Sequence, residues 1–197
     1  ETMIRIGILG DIGSGKSFIA KNFGYPVFNA DHEVSQLYVK DKRIFKKLSK
    51  VLPNYFLNFP IKKKDVIKAI LSSQSNLKKI LKIVHPEIRK KLNLFLTKHK
   101  KKKFVILDIP LLLENKLVKK KDLLIFVKSN KKEILKRLRK RETFNKKLYK
   151  NFKSIQLSLD FKKNKADFLI LNNFSKKSVK IQISKILKII NNERNNS

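Results

Sequence analysis

The chain has 197 residues, 42% of them hydrophobic, and no cysteine. That length and apolar content suit one α/β domain with a sizeable core. Disulfides and cysteine-ligated zinc are excluded, and no run of about 18 apolar residues offers a membrane span. The formal charge of +34 is dispersed: 42 Lys against 7 Arg, with 23 Ile and 17 Asn, is the composition that A/T-rich codons impose on any protein, and it marks no dedicated nucleic-acid surface.

Glu1-Thr2 precede Met3 and are expected to be an expression remnant. Residues 3–9 are a short apolar run with Arg5 as the one charge, the pattern of a buried parallel strand. Glycine is then concentrated: Gly7, Gly10, Gly13 and Gly15 are four of the five in the chain. A helix is expected over 17–23 and a short strand over 26–28, ending at Asn29-Ala30-Asp31. A helix follows over 32–39, and residues 40–100 read as mostly helical. Apolar spacing near 3.6 marks helices over 64–71 and 77–84, with a loop from Leu52 to Pro60. His85-Pro86 interrupts the pattern, and proline at a first helical position is expected to start a separate helix over 87–97.

Residues 98–103 form a basic turn. Strands are expected over 104–108, 123–127 and 168–171, and helices over 130–141 and 176–190, the former capped by Ser129 or Asn130. Residues 142–165 are charged and helical in part, and the Asn-rich tail from Asn191 is expected to fray. Strands alternating with helices argue a parallel, roughly five-stranded sheet covered on both faces. Ligands bind such sheets at the carboxyl ends of the strands.

The residues Gly10-Asp11-Ile12-Gly13-Ser14-Gly15-Lys16-Ser17 read Gly, four residues, Gly-Lys-Ser, the phosphate-cradling P-loop pattern. Amides from Gly13 to Ser17 would wrap a β-phosphate, Lys16 would reach β- and γ-oxygens, and the Ser17 hydroxyl would ligate Mg²⁺. Asp108 closes an apolar strand, either as an acid for Mg²⁺ or as a cap of the following turn. Asp31 ends the second strand. Its carboxylate serves either as acid/base toward an acceptor hydroxyl or as the N-cap of the next helix. Three of seven arginines, Arg137, Arg139 and Arg141, lie within five residues. In a lysine-rich chain they suggest a bidentate phosphate clamp, the alternative being a solvated basic helix. His85 is either a functional group or a structural one. Asn164-Lys165-Ala166-Asp167 matches a guanine-reading motif, but no glycine follows Gly24, so the companion Asp-x-x-Gly is absent and a GTPase is rejected.

Together these segments resemble the dephospho-CoA kinases, along nearly the whole chain. The P-loop, Asn29-Ala30-Asp31, Val84-His85-Pro86, Pro110-Leu111-Leu112-Leu113-Glu114, Arg137 to Arg141 with Glu142, Gln156, Ala166-Asp167 and Asn172 carry the likeness. Departures are Asp11 and Phe18 in the P-loop segment and Asn29 before Asp31.

The resemblance implies a three-layer P-loop kinase fold and in-line transfer of the ATP γ-phosphoryl group to the ribose 3′-hydroxyl of dephospho-CoA. It implies a core over 3–30, 101–136 and 166–190, an acceptor lobe over 31–100 and a lid over 137–160. Asp31, Lys16 and Arg141 would be catalytic. Gly13, Ser14, Gly15, Lys16, Ser17, Phe18, Arg137 and Asn172 would bind nucleotide. His85, Pro110, Leu111 and Glu114 would bind the acceptor, and Ser17 and Asp108 would hold Mg²⁺. A cytoplasmic monomer with no specific nucleic-acid partner and no membrane partner is expected. The competing expectations are another small-molecule P-loop kinase, of nucleoside monophosphate or shikimate type, and a basic nucleic-acid-binding ATPase.

Overall fold

A computed structural model describes residues 3–140 and 144–195. The chain separates into two compact units. One comprises Glu1–Phe28, His99–Glu142 and Leu157–Ser197, and the other Asn29–Lys98 and Thr143–Gln156. The segment expected as a lid is therefore divided, its middle part grouping with the helical unit.

The first unit is built on strands β1 (Ile4–Gly10), β2 (Val27–Asn29), β3 (Phe104–Asp108), β4 (Leu123–Lys128) and β5 (Phe168–Leu171). They form one sheet in the order β2-β3-β1-β4-β5. β1 runs parallel to β3 and β4, and β4 parallel to β5. β1 is buried along its whole length, as its continuous apolar run requires of a strand covered on both faces. Ile4, Ile6 and Ile8 face a core shared with α1 (Lys16–Asn22) and α9 (Lys176–Asn195), through Ile19, Val179, Ile183 and Ile186. Burying each such side chain contributes about 1.5–3 kcal/mol. The opposite face of β1 is packed by α8 (Leu159–Asn164). There Arg5 is buried against Asp122 at 3.0 Å and donates to the Leu117 carbonyl at 2.7 Å. Burial pushes the Asp122 carboxyl up from its ordinary value, against the pull of the Lys119 amide and Arg5.

The outer edge of β5 is closed by a side chain. The Gln182 amide donates to the Leu171 carbonyl and accepts from the Leu171 N–H, both at 2.9 Å, as a neighbouring strand would. Asp167 likewise stitches β5 to β4, its carboxylate accepting from Leu124 N at 2.7 Å and its own amide donating back at 2.8 Å. The Asn-Lys-x-Asp lookalike is thus a piece of sheet scaffolding.

The second unit contains α2 (Ala30–Lys40), α3 (Lys42–Val51), α4 (Lys63–Ser72), α5 (Gln74–Lys98) and α7 (Lys146–Ser154). Here the structure corrects the expectation at His85-Pro86. α5 is one helix of 25 residues with Pro86 inside it. An interior proline removes a backbone hydrogen bond and crowds the preceding turn. Its cost is outweighed because Leu77, Ile80, Val84, Ile88 and Leu92 keep one buried stripe through the proline, anchoring the helix on both sides. The C-terminus is corrected too: α9 continues from Lys176 past Ile190 to Asn195. Asparagine is only mildly unfavourable in a helix, and the turn before it is held by buried Ile186 and Ile190. Among the described residues no helix is long and apolar enough to cross a membrane.

Candidate active site

The phosphate loop leaves the carboxyl end of β1 and enters α1. Gly15 takes the N-cap position in the left-handed conformation (φ 89°), with no side chain capping the helix. A Cβ there would collide with the Asn172 amide nitrogen and come within 2.9 Å of Phe174 Cε1, so the position admits only glycine. Gly13, at φ 81°, is pressed against Leu138 and Ile134 of α6 (Lys131–Arg139).

Two segments fix the loop through one carbonyl. The Ser14 carbonyl accepts from Asn172 Nδ2 and from Ser129 Oγ, both at 2.8 Å. Asn172 is buried and follows β5, and Ser129 follows β4, so neighbouring strand ends clamp the loop. Ser14 Oγ is itself buried without a hydrogen-bond partner among the described residues. Lys16 Nζ donates to the carbonyls of Asp11 at 2.8 Å and Gly10 at 3.3 Å, so its charge rests on the loop. The Asp11 carboxylate is turned onto the Ile12 amide at 2.7 Å. This curl of backbone, which has no room for a Cβ, together with an orphaned hydroxyl and a lysine held on weak carbonyl acceptors, fits a triphosphate.

The remaining expected donor-side residues also fall in this unit. Ser17 lies in the first turn of α1, and Asp108 is buried at the end of β3, beside β1 in the sheet. Both therefore stand at the carboxyl edge. Among the described residues no group of three or more His, Asp or Glu side chains is placed to hold a metal. Phe18 packs its ring on the core and lies 6.5 Å from the Phe174 ring. Arg137 is exposed and stacks on Phe174, its guanidinium carbon 3.6 Å from the ring centroid. Arg141, the expected lid arginine, and Glu142 lie outside the described residues.

Pro110 and Leu111 are half-buried in the turns after β3. Glu114 is engaged within the protein: its Oε1 accepts from Lys162 Nζ at 2.8 Å and from Leu157 N at 2.9 Å. Lys162 is almost wholly buried, its side chain 1% exposed. Removing one partner of such a pair leaves an uncompensated buried charge, which costs about 3–5 kcal/mol. Lys162→Met is expected to lower the melting temperature by roughly 6–20 °C, read by thermal unfolding. An unchanged melting temperature would show that the pair contributes nothing.

Two expected residues belong to the helical unit. Asp31 is exposed in the first turn of α2, two residues beyond the end of β2. Asn29 caps that helix, accepting from the His32 amide at 2.7 Å. His85 lies inside α5. Burial and the neighbouring Arg89 both push its pKa below the ordinary value, so the imidazole is neutral at pH 7. Sequence reasoning passed over Arg89, although it is one helical turn from His85 and one of only seven arginines. It also passed over Ser129 as a loop clamp, Phe174 and Lys162. Scarcity of arginine was a usable signal for the first; the other three act through contacts 100 or more residues apart for Ser129, or through long-range stacking and burial that one sequence does not display.

A family model described as dephospho-CoA kinase matches residues 4–178. A dephospho-CoA kinase of Wolbachia pipientis wMel is 36% identical over 191 residues, covering 94% of this chain and 97% of its own. Among solved structures, TT1252 from Thermus thermophilus superposes with a TM-score of 0.77 at 23% identity, covering 96% of this chain and 98% of its own. Dephospho-CoA kinase from Campylobacter jejuni gives 0.61, also at 23% identity, covering 95% and 97%. The two structures share the fold; the sequence match spans the phosphate loop, the His85-Pro86 helix and the clamp at Asn172 alike. The chain belongs to the dephospho-CoA kinase family.

Proposed function

We propose that this chain transfers the γ-phosphoryl group of ATP to the ribose 3′-hydroxyl of dephospho-CoA, giving coenzyme A in the last step of its biosynthesis. The observation that carries this reading is the formed phosphate loop, with Gly15 locked against Asn172 and Lys16 held at its rim, in a chain of this family. Amides from Gly13 to Phe18 bind the donor phosphates. Lys16 exchanges the carbonyls of Gly10 and Asp11 for β- and γ-oxygens, where a full charge is a far better partner. Mg²⁺ would be held by the Ser17 hydroxyl and Asp108, directly or through water, and would supply neutralisation of phosphate charge.

Asp31 is the acid/base. It orients the 3′-hydroxyl and takes its proton as the new O–P bond forms and the bond to the β,γ-bridging oxygen breaks. The finding that Asn29 caps α2 supports this role, because the competing duty falls to another residue. His85 and Arg89 bind the acceptor, the neutral imidazole by hydrogen bonding and the guanidinium by charge. Pro110 and Leu111 shape an apolar wall, and Glu114 positions the chain at Leu157 and Lys162. By resemblance, Arg141 stabilises the transferring phosphoryl group from a lid. Both substrates are water-soluble, which supports a cytoplasmic enzyme, and a monomer is proposed with it.

An acceptor panel tests the substrate. Turnover with ATP is expected for dephospho-CoA and not for shikimate or nucleoside monophosphates; preferential turnover of either alternative would overturn the assignment. A second outcome concerns Asp11, whose negative charge sits inside the phosphate loop and opposes the triphosphate by on the order of 1 kcal/mol. Asp11→Gly is expected to lower the KM for ATP about fivefold with kcat little changed, by steady-state kinetics. An unchanged or higher KM would show that the carboxylate, turned onto Ile12, is harmless.

A further inference from the structure

The two faces of β1 carry different chemistry. Ile4, Ile6 and Ile8 give one face to the aliphatic core. The other face, offset by one residue, presents Arg5 and Gly7. Neither is an ordinary choice for a strand buried along its whole length. The Arg5 side chain is 8% exposed, and its Nε is buried with no hydrogen-bond partner among the described residues. Gly7 leaves a hollow that a methyl group would close, since a Cβ there would lie 2.5 Å from Leu112 Cδ2. Taking a guanidinium out of water is costly, and replacing a buried ion pair by uncharged side chains of similar volume is often neutral or stabilising. Stability is therefore a poor account of Arg5.

Both residues serve the connection from β3 to β4. Leu112 is buried and sits against Gly7. Arg5 Nη2 donates to the Leu117 carbonyl at 2.7 Å and pairs with Asp122 Oδ2 at 3.0 Å. The same carboxylate oxygen accepts from the Lys119 amide at 2.8 Å, closing the turn before β4. Between these anchors the backbone knots on itself. The Asn115 amide donates to the Leu111 carbonyl at 3.0 Å, and the Leu117 amide to the Leu112 carbonyl at 3.1 Å. Glu114 lies inside the knot and is tied to the buried Lys162. The connection is thus seated on β1 at Leu112 and again at Leu117, with Pro110, Leu111 and Glu114 on the stretch so held.

We infer that Arg5 is a positioning residue of the acceptor site: its grip on the Leu117 carbonyl and Asp122 sets where Pro110, Leu111 and Glu114 stand. The inference rests on the reading above that those three residues meet dephospho-CoA. Arg5 itself touches no substrate. It acts as a support whose own position is locked by burial in the sheet, and a site so supported holds its geometry more closely than one left on a free loop. The phosphate loop leaves the same strand at its far end and has its own clamps at Asn172 and Ser129, so donor binding does not depend on this grip.

The test is steady-state kinetics with each substrate varied in turn, alongside thermal unfolding. Arg5→Met/Asp122→Asn removes both charges together and keeps an acceptor for the Lys119 amide. It is expected to fold, because no buried charge is left unpaired. Its kcat/KM for dephospho-CoA is expected to fall roughly 10- to 100-fold, with the KM for ATP within about twofold of wild type. Arg5→Lys keeps the charge on a narrower donor and guards against misfolding; it is expected to show the same split at smaller amplitude. Unchanged acceptor kinetics in the folded variants would overturn the inference, because the pair is then structural only. Equal losses for ATP and dephospho-CoA would overturn it too, as a general disturbance of the sheet. Wild-type protein that binds ATP and does not turn over dephospho-CoA would instead overturn the substrate reading, and the acceptor role of Arg5 with it.

Discussion

Lys16→Met is expected to lower kcat by about 10³-fold, within the range seen when one preorganised charge donor is removed from a transition state. Methionine keeps most of the length and apolar stem and deletes only the charge. The Lys16 ammonium donates to loop carbonyls at 2.8 and 3.3 Å, which are poor substitutes for phosphate oxygens. Its removal is expected to cost most where charge develops on the γ-phosphoryl group. Single-turnover kinetics at saturating ATP check the prediction; a loss confined to KM would mean that Lys16 binds ground and transition states equally.

Asp31→Asn is expected to lower kcat by roughly 10²- to 10⁴-fold, the usual worth of a positioned proton acceptor, with the KM for dephospho-CoA nearly unchanged. The amide keeps the shape and a hydrogen bond to the hydroxyl but cannot take its proton. The helix itself should survive, because its cap is Asn29 and not Asp31. Turnover equal to wild type would remove Asp31 from the chemistry.

How much of this was legible follows from what each residue needs. The phosphate loop was readable because its geometry demands glycine in a chain that otherwise avoids it: Gly15 cannot carry a Cβ beside Asn172. The strands were readable because both-face burial leaves unbroken apolar runs, as in β1 and β3. Pro86 misled because proline is a local signal, whereas α5 is held by a stripe of buried residues on both sides of it. Asp31 stayed ambiguous because a carboxylate after a strand suits capping and catalysis equally; the structure assigns the cap to Asn29. Lys162 could not be recognised as buried in a sequence with 42 lysines; its contact with Glu114 depends on the fold. Phe174 was invisible for the same reason, since neither a positive φ nor a stack with Arg137 leaves a local trace.

The most direct test of the central claim is the product itself. Purified protein incubated with Mg-ATP and dephospho-CoA should form coenzyme A in step with ADP, and ³¹P NMR should place the new phosphate on the ribose 3′-oxygen. ATP consumption without that phosphate, from protein whose unfolding transition shows it to be folded, would contradict the account.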